Sequence, residues 1–142
     1  MTTENFTWDN VIAAMRKAVE TKGEDYVYPK RENAKDNCYY SNEDGTPSCI
    51  VGHVLAETTP EAYAQVARTE GRLKRSTPAD RLFLGAAPGF LNYPIMSDSD
   101  RETELLRAAL EEAQGLQDCG HPWGQAYDAF LAVLGLDRED VQ

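Results

Sequence analysis

Apolar residues recur at helical spacing through much of this chain, and the first such stripe lies near the N-terminus. It is bounded by Thr7, a residue type that caps helix N-termini, and by Gly23, a residue type that ends helices. Apolar side chains spaced three and four residues apart form one face of a helix. The stripe consists of Trp8, Val11, Ile12, Met15 and Val19. The pattern predicts a first helix between Thr7 and Gly23.

Two further stripes occupy the last third of the chain. The first follows a capping box formed by Ser99 and Glu102, and Gly120 stops it. The second begins with Pro122 in its first turn. Their apolar positions are Leu105, Leu106, Ala109, Leu110, Ala113 and Leu116, then Trp123, Ala126, Tyr127, Phe130, Leu131 and Leu134. These patterns predict two helices, followed by a frayed tail at residues 136–142.

The middle of the chain contains three shorter helical patterns. Two begin at Thr59 and at Thr77, each followed by a proline; threonine suits the N-cap and proline the first turn. The third is the stretch "TPSCIVGHVLAET", whose Pro47 also suits a first turn. Its apolar positions are Ile50, Val51, Val54 and Leu55. A segment this apolar, interrupted by Gly52, is typical of a buried central helix that a neighbour approaches closely.

Two tyrosine-rich segments break the helical pattern. Tyrosine and valine at residues 26–28 favour an extended backbone, and the segment at residues 37–41 is followed by the turn pair Asp44-Gly45. Together the patterns predict a mainly α protein. It is a single compact domain over residues 1–142, with five to six helices and a small Tyr-rich extended element or β-hairpin.

Composition agrees with one globular domain. The chain has 142 residues, of which 42% are hydrophobic and 27% charged, so it is long enough to bury a core without a metal or a disulfide. No apolar run approaches the roughly 20 residues of a membrane span. Three cysteines and no visible secretion signal predict reduced thiols and a cytoplasmic location.

The charge is distributed unevenly. The net charge is −10, which opposes direct nucleic-acid binding. Residues 68–96 nevertheless carry five bases and two acids. Arg68, Arg72 and Arg75 follow at i, i+4 and i+7, which predicts a basic ridge on one helix, with Arg81 just after it. The ridge is either a solvated face, paired with acids of the same chain, or a site for a phosphate or an acidic partner.

Cysteine and histidine recur in two places that carry possible chemistry. Cys49 and His53 share a helical face, and Cys119 and His121 lie between two predicted helices. If folding brought the four together, they could form a tetrahedral zinc site, although a single-residue spacer is tighter than in usual zinc motifs. Alternatively, Cys49 is a nucleophile activated at a helix N-terminus with His53 as base. The apolar neighbours favour a third interpretation, in which both residues serve packing. The sequence therefore predicts no catalytic residue, no metal and no cofactor.

An unusually apolar loop at residues 82–96, "LFLGAAPGFLNYPIM", is the strongest candidate for an interaction surface. Pro88-Gly89 prevents a continuous helix or strand there. The loop is either folded into the core of its own chain or covered by a protein partner or a second subunit. On the second view, the binding residues are Arg75, Arg81, Phe90, Leu91 and Tyr93.

The segments "DYVYP", "CYYSNEDG", "GTPSCIVGHVLAE" and "HPWGQAYDAFLAVL" resemble small uncharacterised proteins of actinobacteria and their phages. The resemblance implies an intracellular, phage- or actinobacterium-type origin and implies no activity. We therefore expect a non-enzymatic binding or regulatory protein that acts on a host protein or forms a homodimer. The alternative is a small zinc- or cysteine-dependent enzyme that uses Cys49 and His53.

Overall fold

The computed structural model describes residues 6–29, 39–91, 93–96 and 101–141. Within these ranges it contains six α-helices and one 3-10 helix, so the predicted mainly α fold is confirmed. The helices are α1 (Trp8–Lys22), α2 (Ile50–Thr58), α3 (Pro60–Leu73), α4 (Ala79–Phe83), α5 (Arg101–Asp118) and α6 (Trp123–Val133), and the 3-10 helix is Arg138–Val141. Within the described ranges, no helix combines the length and the apolarity that crossing a membrane requires.

Helix α1 begins and ends where the sequence predicts. The Thr7 hydroxyl accepts a hydrogen bond from the backbone amide of Asn10 at 3.3 Å. Gly23 ends the helix with a φ of +102°, a backbone conformation that favours glycine. The predicted stripe, widened by two alanines, faces the core: Val11, Ile12, Ala14, Met15, Ala18 and Val19 are buried.

Helix α2 is the buried centre of the fold, as predicted, but it begins three residues later than its proline suggests. Pro47 pairs with Ser41 in an antiparallel β-bridge, so it does not lie in a first helical turn. Cys49 is the N-cap residue instead, and its thiol accepts from the amide of Gly52 at 3.4 Å. The amide of Ile50 donates to Oε1 of Gln117 on α5 at 2.7 Å. A side chain from a distant helix therefore satisfies a helix-end amide that otherwise has no partner.

The small extended element lies between residues 40 and 48. The Asn42 amide donates to the Thr46 carbonyl at 2.7 Å, and the Ser48 amide donates to the Tyr40 carbonyl at 2.9 Å. The turn pair Asp44-Gly45, which the sequence places after the second Tyr-rich segment, makes the turn of this hairpin. Residues 26–28 contact this element through the Tyr28 hydroxyl, which accepts from the Ser48 hydroxyl at 3.0 Å. The Tyr26 carbonyl accepts from the amide of Trp123 at 2.8 Å.

Gly52 allows the hairpin to contact α2 backbone to backbone. A Cβ atom at this position would lie 2.1 Å from the carbonyl oxygen of Tyr40. Because that oxygen already accepts from Ser48, it cannot move away without losing a hydrogen bond. The glycine inside the helix therefore serves the predicted close approach, and its partner is the hairpin.

The C-terminal segment is more ordered than predicted. Pro122 precedes α6 as the N-cap residue, one position before the predicted first turn. Beyond α6, the predicted frayed tail contains the 3-10 helix. Arg138 fixes it by donating to both carboxylate oxygens of Glu24, at 2.6 and 2.7 Å, and to Oδ1 of Asp128 at 2.7 Å. Ser99, predicted to cap α5, lies outside the described residues, as does Cys38.

Candidate functional site

Cys49 and His53 are adjacent, but they do not form a nucleophile–base pair. Cys49 is fully buried. Nδ1 of His53 lies 3.0 Å from the backbone carbonyl oxygen of Cys49, so this nitrogen carries the proton and donates to the carbonyl. The His53 ring also packs edge-on against Trp123, with 5.3 Å between ring centroids. Burial is the main cause that lowers the pKa of His53 below its ordinary value. This geometry favours a packing role for Cys49 and His53 over the roles of nucleophile and base.

The four residues considered for a zinc site differ in burial and in their hydrogen-bond partners. Cys119 is exposed, whereas Cys49 is buried. Nδ1 of His121 lies 3.2 Å from Oε1 of Gln125, within its own helix start. Among the described residues, no group of three or more histidine, cysteine, aspartate or glutamate side chains is arranged to hold a metal ion. The tetrahedral arrangement proposed for these four is therefore not assembled.

The apolar loop at residues 82–96 belongs to the core of its own chain. Phe90 and Leu91 are only 4% and 0% exposed, which favours the alternative in which the loop folds into the core of its own chain. The amides of Ile95 and Met96 both donate to the carbonyl of Phe83, at 2.9 and 3.1 Å, which folds the loop back on α4. Tyr93, which is half-buried, packs against the same core.

A buried carboxylate joins α3 to the hairpin, and the sequence interpretation did not find it. Glu70 is 1% exposed. Oε2 accepts from the amide of Tyr40 at 2.9 Å and from the Ser76 hydroxyl. Oε1 accepts from the amide and the hydroxyl of Ser41, at 3.0 and 2.6 Å. Burial raises the pKa of Glu70 above its ordinary value, against the lowering effect of these hydrogen bonds.

The basic residues near the end of α3 lie at the surface, where the described residues offer them no ion-pair partner. Arg68, Arg72, Lys74 and Arg75 are exposed and make no ion pair with any residue in the described ranges. We call these four the basic face. The prediction of one ridge on one helix needs a correction, because α3 ends at Leu73. Arg75 therefore lies beyond the helix, after Lys74, whose φ of +56° turns the chain.

Arginines elsewhere contrast with the basic face. Arg107 lies 3.9 Å from Glu111, and Arg138 pairs with Glu24 and Asp128. Arg81, on α4, is exposed and, like the basic face, makes no ion pair within the part of the chain that the structure describes. Within the described residues, the acidic last third of the chain therefore forms no ion pair with these basic residues.

An open cleft of about 440 Å³ adjoins the basic face. Arg68 and Arg72 line it together with Gln65, Thr69 and Gly89. The Thr69 hydroxyl contacts the carbonyl oxygens of Gln65 and Gly89, at 3.0 and 2.9 Å, and so joins α3 to the buried loop. Two guanidinium groups therefore flank a concave surface, and the Thr69 hydroxyl links α3 to Gly89 at the floor of this surface. Guanidinium groups bind carboxylates and phosphates through paired N–H donors.

Exposed apolar surface lies within the same region. Leu73 is 37% exposed, and it stands in the sequence between Arg72 and Lys74. Only one other large hydrophobic residue in the described ranges is comparably exposed, Val27. The basic face therefore combines a cleft, an exposed leucine and cations that form no ion pair with the residues the structure describes.

Comparison with known proteins gives no further assignment: no family model, no curated protein and no solved structure matches this chain.

Proposed function

We propose that this protein is a non-enzymatic binding protein whose basic face docks an acidic segment of another protein. The observation that carries the proposal is the pair Arg68 and Arg72, exposed at a cleft and without acidic partners in the described ranges. Desolvated arginine–carboxylate contacts give both affinity and orientation. Leu73 adds an apolar contact beside them.

The charge distribution favours a compact acidic segment over a nucleic acid. The whole chain carries −10, while residues 68–96 carry a net +3 from five bases and two acids. A long polyanion would extend beyond the basic face onto acidic surface and be repelled there. A short acidic segment contacts only the basic face, and the local positive charge would guide its approach.

The resemblance stated above supplies the biological side of the proposal. It implies an intracellular, phage- or actinobacterium-type origin, and we propose in addition that the protein acts on a host protein. The acidic segment would then belong to that host protein. A second copy of this chain is the competing source, since its own surface is acidic.

The test is a binding titration with a fluorescein-labelled peptide of alternating Glu and Leu, followed by anisotropy. A Gln-Leu peptide of the same length and an oligothymidylate of the same charge are the comparison probes. The variant is Arg68→Ala with Arg72→Ala. The matched control is Lys17→Ala with Lys22→Ala, which removes two positive charges from α1.

We expect the arginine variant to bind the Glu-Leu peptide at least about tenfold more weakly, since hydrogen bonds to charged groups contribute about 1.5–3 kcal/mol and about 1.4 kcal/mol is tenfold. The lysine control should retain its affinity. Raised salt should weaken binding. Equal losses in the two variants would reduce the effect to net charge, and tighter binding of oligothymidylate would replace the protein partner with a nucleic acid. Either result contradicts the proposal.

A further inference from the structure

A second cleft, independent of the basic face, lies between α1, α6 and the 3-10 helix. Its volume is about 370 Å³, within the range of roughly 300–1,000 Å³ that small-molecule sites occupy. Val19, Val141 and the ring of Tyr127 form its apolar part. Helix α6 positions Tyr127 because the helical stripe of apolar residues faces the core at this point.

The Tyr127 side chain brings an unused hydrogen-bonding group to this cleft. The residue is 2% exposed, and its hydroxyl has no hydrogen-bond partner within the described residues. Most buried polar side-chain atoms in proteins have a partner, so an exception calls for an explanation. The charges of Arg16, Arg138 and Glu20, which all line the cleft, act on this hydroxyl. Tyr127 therefore lines the cleft and carries a buried hydroxyl that has no partner among the described residues.

The charged groups around the cleft are already paired with one another. Arg138 binds Glu24 through two hydrogen bonds, and its guanidinium carbon lies 5.2 Å from the centroid of the Tyr127 ring. Nε of Arg16 lies 3.6 Å from Oε1 of Glu20. The lining thus contains two cations and two anions. A charged ligand would lose its hydration there without meeting an unpaired counter-charge.

We propose that this cleft binds a small uncharged molecule with an apolar body and a carbonyl-type oxygen. This oxygen accepts a hydrogen bond from the Tyr127 hydroxyl. Arg16 is the movable side of the site. It is exposed, and its Nη1 donates to the carbonyl of Val141 at 2.8 Å, which joins α1 to the 3-10 helix beside the cleft. The ligand reaches the hydroxyl by displacing this one surface hydrogen bond.

The test uses three probes of the same shape and different charge: benzamide, benzoate and benzylammonium. Each is titrated into the full-length protein, and binding is followed by amide chemical shifts in a ¹H–¹⁵N spectrum. We expect saturable benzamide shifts at residues 16–24, 127 and 138–141. The two charged probes should bind at least about tenfold more weakly, a difference of about 1.4 kcal/mol or more. Each of them would bury a charge that meets no unpaired counter-charge in the cleft.

Tyr127→Phe keeps the ring and removes only the hydroxyl. This variant should bind benzamide about tenfold more weakly, as expected for one lost hydrogen bond, while melting no lower than the wild type. Arg16→Ala should bind benzamide more tightly, because the displaced hydrogen bond is gone. Absence of saturable benzamide shifts would overturn the proposal, as would equal affinity of the wild type and Tyr127→Phe. Neither outcome affects the basic face, which lies on other residues.

Discussion

Replacing Glu70 by glutamine is the sharpest test of how α3 holds the hairpin. Each carboxylate oxygen accepts one backbone amide and one hydroxyl: Tyr40 and Ser76 at Oε2, and both groups of Ser41 at Oε1. Glutamine has the same shape but presents an NH₂ group in place of one oxygen. Whichever way the amide is oriented, that NH₂ group faces a backbone N–H, and two donors meet.

The expected loss follows from that geometry. A hydroxyl can rotate and accept from the new NH₂ group, but a backbone amide cannot. One buried backbone N–H is left without an acceptor, at a cost of about 1–3 kcal/mol. For a chain of roughly 150 residues, each kcal/mol lowers the melting temperature by about 2–4 °C. Glu70→Gln should therefore melt several degrees lower than the wild type at neutral pH.

Two further variants calibrate this result in thermal and urea unfolding. Ser76→Ala removes one hydroxyl donor and leaves three hydrogen bonds to the carboxylate, so it should lose less than Glu70→Gln, because no buried donor is left without an acceptor. Glu70→Ala leaves all four donors without their acceptor and should lose the most. The predicted order of stability is wild type, Ser76→Ala, Glu70→Gln, Glu70→Ala. A Glu70→Gln protein as stable as the wild type would refute the donor-conflict argument.

The pH dependence of the Glu70→Gln difference has a definite sign. Burial raises the pKa of Glu70 in the folded state above the ordinary 4.5, so the folded state binds this proton more tightly than the unfolded state. The corresponding stability is fully present below 4.5 and is lost as the pH rises through the folded-state pKa. The stability advantage of the wild type over Glu70→Gln should narrow as the pH rises through that window. A gap that widens there would contradict the raised pKa.

Two other predictions concern α2. Gly52→Ala should destabilise the protein by about 1–3 kcal/mol or more, because the new Cβ would meet the Tyr40 carbonyl at 2.1 Å; Gly115→Ala on α5, where nothing lies within 4 Å, should instead stabilise by up to about 1 kcal/mol, and urea unfolding that ranks the two equally would rule out the close approach. In native buffer, a thiol reagent mapped by peptide mass spectrometry should label the exposed Cys119 rapidly and the buried Cys49 only on unfolding; rapid labelling of Cys49 without unfolding would disprove its burial.

Helical periodicity predicted the elements of this fold better than it predicted their ends. The stripe of α1 and its two end residues are where the sequence places them, because both signals are local. The start of α2 predicted from Pro47 was wrong, because a proline suits an edge bridge as well as a first helical turn. The choice depends on the hairpin partner, which lies outside any helical window.

The site residues show the same limit. An acid at position 70 continues the α3 apolar stripe of Tyr63 and Val66, and this signal could have predicted its burial. Nothing local in the sequence indicates that Gln117 caps α2 or that Arg138 binds Glu24, because those contacts span 67 and 114 residues. For residues 82–96, composition alone could not separate a buried loop from an exposed one. The two interpretations require opposite exposures of Phe90 and Leu91, and in the structure both side chains are buried.

The amide of Ile50 depends on Gln117, and this has a consequence for the order of folding. Helix α2 has nine residues, fewer than the roughly 12–15 that an isolated helix needs to persist in water. Its first amide finds an acceptor only when α5 is in place. The spatial centre of the molecule is therefore a late-forming part of it. We expect the folding nucleus to form instead from α5 and α6, because they are neighbours in sequence and close a short loop at little entropic cost.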